Sequence, residues 1–337
     1  MLEKNIIQKD NTKMKLLEVK NLNISVDYKE QLLSLVENLN FYVKEGEIFG
    51  IVGESGCGKS ISSKSIIRVL EDRFHPTGTV LFQGKNLLEL SEKEMMEIRG
   101  NKISLVFQDA LSALNPLKRI GKQVEEILKI HKKSMSADER KSKVIEILTE
   151  CDIYNPEEAY NKFPHELSGG QRQRVMIAMA VICEPSLIIC DESTTALDLR
   201  TQLRVIKLLK KLNKDKKMAI IFVSHDIALI ESICDRVMVM YGGRSVEILE
   251  GSLKNAKHPY TRALYSMLFS MEDKNRMLPY VSGTVISPLV RKREKCYFGD
   301  RCKYYNNCRE NDLVEISENH FVACEKVIKD VARDKKS

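Results

Sequence analysis

With 337 residues, 43% of them hydrophobic and 30% charged, the chain can form one large domain with an appendage, or two domains, in an ordinary soluble balance. Its longest apolar run, Val175 to Cys183, falls far short of the roughly 20 residues that a membrane span needs. The net charge of +7 is spread over positions such as Lys207, Lys210, Lys211, Lys214, Lys216 and Lys217. That spread argues for a solvated helix face over a nucleic-acid surface, and it suits a protein beside an anionic membrane leaflet.

The first 15 residues are charged and lack an apolar core. They read as a flexible tail rather than a signal peptide, and a cytoplasmic protein is expected. Leu17 to Ile24 and Leu39 to Val43 read as strands, with Lys44 to Glu47 as a turn. Ile48 to Val52 reads as a buried strand and Ile61 to Leu70 as a helix. Between them, Gly53-Glu54-Ser55-Gly56-Cys57-Gly58-Lys59-Ser60 fits the phosphate-cradling pattern G-x-x-x-x-G-K-[ST] in its required strand–loop–helix context. Glycines let successive N–H groups turn toward an anion, and the helix N-terminus adds partial positive charge. Lys59 can reach the β- and γ-phosphates, and the Ser60 hydroxyl can ligate Mg²⁺. The octet alone also admits a plain glycine-rich turn.

Further on, Thr79 to Phe82 with Gln83-Gly84-Lys85 reads as a hairpin, and Ile103 to Phe107 as a strand ended by Gln108-Asp109. Residues 119–183 are helix-rich, with apolar spacings of three and four in Gln123 to His131 and Ala137 to Cys151. Ser136 and Glu139 form a capping box for the second. Then come a strand at Leu187 to Cys190, a helix at Asp198 to Leu212, a strand at Met218 to Val223 and a helix at Ile227 to Cys234. This alternation implies a parallel sheet covered on both faces. The core is expected to close near residue 255, after which the sequence becomes irregular and cysteine-bearing. The scattered Cys57, Cys151, Cys183, Cys190 and Cys234 read as small core or incidental residues in a reducing compartment.

An apolar strand ending in Asp191-Glu192 supplies acids suited to a nucleotide site. Asp191 at the strand tip can hold Mg²⁺ and Glu192 can polarise an attacking water, because phosphoryl transfer needs mainly positioning and charge neutralisation. An ordinary acidic loop is the alternative for this pair alone.

Leu167-Ser168-Gly169-Gly170-Gln171 resembles the signature motif of ABC-type ATPases. The phosphate loop, Gln108, this signature, Asp191-Glu192, Ala196-Leu197-Asp198 and His225 follow in that family's order over residues 46–226. The resemblance implies an α/β fold. Its core would be an ABC-type P-loop ATPase with a parallel sheet, an antiparallel β subdomain and a helical subdomain at about 115–185, carrying a small cysteine-containing C-terminal extension. Residues 1–15 would be the tail, 16–255 the nucleotide-binding domain and 256–337 the extension. Glu192, His225 and Gln108 would be catalytic, with Ser60, Gln108 and Asp191 around Mg²⁺. Ser168, Gly169, Gly170 and Gln171 would complete the ATP site of a partner subunit, and Asp198 would communicate across the dimer. Two positions depart from the family. Ser193 stands where Pro is usual, which loosens a turn without removing a functional group. Where the family stacks an aromatic on adenine the register gives Val26, and Tyr28, two residues on, can substitute.

Three stretches narrow the resemblance to ATP-binding subunits of oligopeptide, dipeptide and nickel importers. They are Phe107 to Pro116, Phe163 to Ala180 and His258 to Leu264. The second resembles the first of the two non-identical ATPase subunits of such importers, the dipeptide-importer D-type. The resemblance therefore implies a heterodimer with a sister ATPase, two membrane permeases and an extracytoplasmic binding protein, with the chain peripheral on the cytoplasmic face of the membrane. Peptides are the expected cargo, with nickel or a metal–metallophore complex as alternative. A soluble ABC ATPase acting on DNA or ribosomes is a further rival, but the chain has one core and no sustained heptads. An iron–sulfur redox sensor regulated by ATP is another.

Cys296, Cys302, Cys308 and Cys324 have the spacing C-x5-C-x5-C-x15-C. Four cysteines can hold a [4Fe–4S] cluster or a structural Zn²⁺. Zinc sites usually pair cysteines two to four residues apart, and the importer group is associated with an iron–sulfur cluster, so a cluster is expected, with Zn²⁺ or free thiols as alternatives.

Overall fold

In a computed structural model, which describes residues 14–107, 113–193, 198–270, 281 and 283–334, the elements follow in chain order. They begin with strands β1 (Lys15–Tyr28), β2 (Gln31–Lys44) and β3 (Ile48–Val52), helix α1 (Lys59–Ile66), strands β4 (Phe74–Phe82) and β5 (Lys85–Asn86), helix α2 (Glu92–Ile98) and strand β6 (Ile103–Val106). Helices α3 (Ile120–His131), α4 (Ala137–Glu150), α5 (Pro156–Asn161) and α6 (Gly169–Val181) come next. Strand β7 (Leu187–Asp191), helix α7 (Leu199–Lys216), strand β8 (Ala219–Ser224), helix α8 (Ile227–Ile233) and strands β9 (Arg236–Tyr241) and β10 (Arg244–Glu250) follow. Helix α9 (Pro259–Ser270), strands β11 (Val314–Ser317) and β12 (His320–Val322) and helix α10 (Glu325–Asp334) complete the chain. None of the described helices is long and apolar enough to cross a membrane.

The chain divides into two compact units. The first takes its residues from 1–44, 49–88 and 224–337. It holds an antiparallel sheet of order β2-β1-β4-β5 and the run β11-β12-β10-β9-β3. The β4–β5 turn at Gln83 and Gly84 has φ of 49° and 81°, the left-handed pair that a tight hairpin requires. β3 runs parallel to β9, with Phe49 opposite Arg236 and Val52 opposite Val239. The expected helix after the phosphate loop stops at Ile66 rather than Leu70, because Arg68 turns into the left-handed region at φ 53°. The segment read as irregular contains β11 and β12. β12 pairs with β10, Glu247 opposite Val322 and Ile248 opposite Phe321. Side chains reinforce that pairing. Glu247, fully buried, takes a 2.7 Å hydrogen bond from the His320 ring and further ones from the backbone N–H groups of Lys257 and His258.

The second unit takes residues 45–48 and 89–223. β6, β7 and β8 form a parallel run, Ile103 opposite Leu187 and Leu187 opposite Ala219. Every residue of β7 and β8 is buried, as strands covered on both faces require. Helices α3 to α6 pack together around Val124, Leu128, Val144, Ile147, Leu148 and Val175. The capping box of α4 forms as its sequence specifies: the Glu139 N–H donates to Ser136 Oγ at 3.3 Å, and the Ser136 N–H to Glu139 Oε2 at 2.6 Å.

Glu125 is buried in α3 and is satisfied by Lys122 Nζ at 2.8 Å and by the Tyr160 hydroxyl at 3.2 Å. The Lys122 ammonium and Tyr160 hydroxyl outweigh burial and hold its carboxyl below the usual range. Tyr160 reaches it by laying its ring over Gly121, where a Cβ would sit 2.1 Å from the ring. Helix propensity alone predicts that Gly121→Ala gains up to about 1 kcal/mol. We expect a net loss of about 1–3 kcal/mol, because the pinned ring cannot retreat. Chemical denaturation checks this; a stabilised variant would show that the ring gives way.

Candidate nucleotide site

β3 delivers the chain into the phosphate loop and α1 leaves it. Gly56 and Gly58 adopt φ of 78° and 103°, conformations that let the loop's N–H groups converge on an anion. Gly53 is required sterically, since a Cβ there would lie 2.3 Å from the carbonyl oxygen of Met240. Lys59 opens α1 almost wholly buried, and its ammonium donates to the carbonyls of Gly53 at 2.8 Å and Glu54 at 3.1 Å. A buried cation must find acceptors, and these fold the lysine against its own loop. Ser60, the expected Mg²⁺ ligand, follows in α1 and is half-buried, while Ser55 is exposed. Cys57 is fully buried and burial pushes its thiol up, so it is an inert packing residue.

Glu54 is held twice by residues that sequence reasoning passed over. Its N–H donates to the Tyr260 hydroxyl at 3.0 Å, and its carboxylate receives both arms of Arg301, at 2.6 and 2.9 Å. Tyr260 lies inside the His258–Leu264 stretch and Arg301 directly precedes Cys302. Those were the only local signals, since the partners lie 206 and 247 residues from Glu54. Also in the first unit, Tyr28 ends β1 partly exposed, with Lys29 Nζ 5.5 Å from its ring centroid. His225 is exposed just after β8, and the next residue, Asp226, caps α8 by accepting from the Leu229 N–H at 3.1 Å.

In the second unit Asp191 is the buried last residue of β7. Glu192 follows with φ of 46°, a left-handed conformation uncommon for a residue with a side chain, and its N–H donates to the Val223 carbonyl at 3.0 Å. Such a conformation turns the carboxylate sharply off the strand direction. Ser193, in place of the usual Pro, is buried. The signature forms the start of α6. Ser168 caps it by accepting from the Gln171 N–H at 3.3 Å, while Gln171 Oε1 accepts from the Ser168 N–H at 2.9 Å. Ser168 and Gly169 are exposed. Gly170 packs on Thr201, where a Cβ would meet Thr201 Cγ2 at 2.5 Å. Thr201 in turn donates to Asp198 at 2.7 Å, and Asp198 caps α7 through the N–H groups of Arg200 and Thr201. The Thr201 hydroxyl holds the Asp198 carboxyl below its usual range. The signature and Asp198 are thus one packed assembly. Gln108, Ala196 and Leu197 lie outside the described residues.

Cys296, Cys302, Cys308 and Cys324, all half-buried, line one cavity beside His258 and Phe298. The Cys296 N–H donates to the Cys308 carbonyl at 2.9 Å. Burial, and secondarily Glu310, pushes the Cys296 thiol up to about 12, and burial also raises Cys302 and Cys324. Four thiols are the soft donor set that iron–sulfur clusters and zinc take. Among the described residues, no three His, Cys, Asp or Glu side chains are drawn close enough to grip a metal ion.

Comparison with known proteins matches residues 36–195 to the ABC transporter family and residues 248–308 to the oligopeptide/dipeptide transporter C-terminal region. A probable peptide ABC transporter ATP-binding protein, y4tR, of Sinorhizobium fredii is 42% identical over 92% of this chain and 94% of its own length. The oligopeptide transport ATP-binding protein OppD of Bacillus subtilis is 38% identical over 91% of this chain and 88% of its own. The ATP-binding cassette MJ0796, solved as a post-hydrolysis dimer with ADP and Pi, superposes with a TM-score of 0.62 at 32% identity, covering 69% of this chain and 98% of that one. With both family regions in place and near full-length relatives at this identity, the chain belongs to the ABC transporter family of ATPases, in the group that carries the oligopeptide/dipeptide transporter C-terminal region.

Proposed function

We propose that this chain is an ATP-hydrolysing subunit of a peptide importer, coupling MgATP binding and hydrolysis to movement of partner permeases at the cytoplasmic face of the membrane. The observation that carries the reading is the match of residues 248–308 to a peptide-transporter region, on a chain whose phosphate loop and signature are both formed. Residues 16–255 serve as the nucleotide-binding domain and 256–337 as the extension. Gly53 to Ser60 bind the phosphates, with Lys59 exchanging loop carbonyls for phosphate oxygens. Ser60, Gln108 and Asp191 hold Mg²⁺, which neutralises charge on the phosphates. Glu192 orients and deprotonates the attacking water, His225 donates to the γ-phosphate, and Tyr28 offers a ring to adenine. Ser168, Gly169, Gly170 and Gln171, at a capped helix start, present N–H groups and dipole to the γ-phosphate held by a sister ATPase subunit. Closure of that heterodimer drives the permeases, and cargo arrives from an extracytoplasmic binding protein.

Although no three described side chains are drawn close enough to grip a metal ion, the four cysteines line one cavity, and we propose that they carry a [4Fe–4S] cluster, with Zn²⁺ as the alternative. Anaerobic purification is expected to yield a brown protein absorbing near 400 nm, roughly where thiolate-bound clusters absorb. A colourless protein containing zinc would sink the cluster.

Two further outcomes test the importer reading. Glu192→Gln is expected to lower ATP turnover by about 10²- to 10⁴-fold while keeping MgATP binding and trapping a closed dimer; wild-type turnover would remove Glu192 as base. In cells, Lys59→Ala is expected to abolish uptake of labelled di- and oligopeptides and to leave nickel uptake intact. Loss of nickel uptake alone would reassign the cargo.

A further inference from the structure

Glu54 is an odd residue for a loop whose task is to bind a polyanion. A carboxylate beside a triphosphate repels it, and the repulsion is strong where water is partly excluded. The first unit answers this with one side chain. Arg301 forks both carboxylate oxygens of Glu54, at 2.6 and 2.9 Å, while its own side chain is only 4% exposed. The guanidinium is fixed from the other side by the Val281 carbonyl at 2.9 Å and the Tyr241 hydroxyl at 3.4 Å. The Tyr241 and Phe298 rings lie 5.6 and 5.9 Å from it. A bidentate, stacked arginine is a rigid partner rather than a mobile surface cation. Tyr260 adds a second tie by accepting the Glu54 N–H. Its hydroxyl is held by packing, since its ring is fully buried against Tyr241 and Phe298.

We propose that Arg301 is a positioning residue for the nucleotide site, neutralising Glu54 and drawing it off the phosphate loop, so that the C-terminal extension sets MgATP affinity. Arg301 closes the short turn Gly299–Arg301, and the next residue, Cys302, lines the cysteine cavity. The extension thus grips the ATP site through covalent neighbours of that cavity. The inference rests on the nucleotide-site reading above.

The test is binding of a fluorescent ATP analogue with Mg²⁺ to the purified full chain, with thermal melting run in parallel. Arg301→Met is expected to raise Kd about tenfold, within the range of couplings measured between contacting residues. Glu54→Gln placed in that background is expected to restore most of the affinity, because the unpaired charge is gone. Arg301→Lys, which keeps charge but loses the fork, is expected to fall between wild type and Arg301→Met, and it serves if Arg301→Met does not fold. A Kd unchanged in Arg301→Met and Arg301→Lys, with only the melting temperature lowered, would reduce the pair to a structural tie and overturn the proposal. Failure of Glu54→Gln to rescue Arg301→Met would overturn it as well. Lys59→Ala separates the two layers of the argument: undiminished binding there overturns the nucleotide-site reading and the positioning role together. Impaired binding in Lys59→Ala alone overturns only the role of Arg301.

Discussion

The ATP-binding loop is organised by a buried ammonium. Lys59 cannot leave its charge unsatisfied, and the carbonyls it takes, those of Gly53 and Glu54, belong to the turn that precedes it. The backbone must bend through left-handed glycines to bring those carbonyls round, and the same bend aims N–H groups at an anion. A strand on one side and a helix on the other hold the ends of the turn, and the carbonyl of Met240 leaves no room for a side chain at Gly53. Binding a phosphate then asks the lysine to change acceptors rather than to become ordered, which keeps the entropic cost of ligand capture low.

What could be read from the sequence follows how local each interaction is. The capping box at Ser136–Glu139 spans three residues and forms as spacing specifies, and the structure adds a second of the same kind at Ser168–Gln171. The phosphate loop and the buried strands β7 and β8 were legible for the same reason. The end of α1 was not, because it depends on Arg68 adopting a left-handed backbone, for which no local residue type signals. β11 and β12 were missed because strands of three or four residues acquire their identity only by pairing, and β12 finds its partner, β10, about 75 residues earlier in the chain. Arg301 was invisible as a member of the nucleotide site for the same cause: its meaning comes from Glu54, 247 residues away. The four cysteines were noticed by count and spacing, and their convergence on one cavity agrees with that grouping.

The family match accounts for the nucleotide machinery, and the extension distinguishes this group within it. Here the extension is knitted into the first unit at several points. Tyr297 donates its hydroxyl to Glu37 at 3.0 Å, Arg291 donates to the Leu35 carbonyl at 3.0 Å, and Arg244 is surrounded by Glu37, Glu310 and Asp312. The Arg244 and Glu310 side chains are almost wholly buried, and Glu37 comes to Arg244 from the N-terminal part of the chain. Such pairs favour one assembly strongly, because removing either side leaves a charge without a partner.

The pairing of β12 onto β10 has a consequence for how the protein behaves while it is being made. β10 emerges from the ribosome some 70 residues before β12, and until then one of its two edges offers open N–H and C=O groups to any other strand. Such an edge is the usual nucleus for edge-to-edge aggregation, and only the arrival of the last part of the chain closes it. The C-terminal segment therefore acts as a built-in edge guard. A chain cut short after residue 308 loses this cover, and its solubility suffers before any catalytic group is touched.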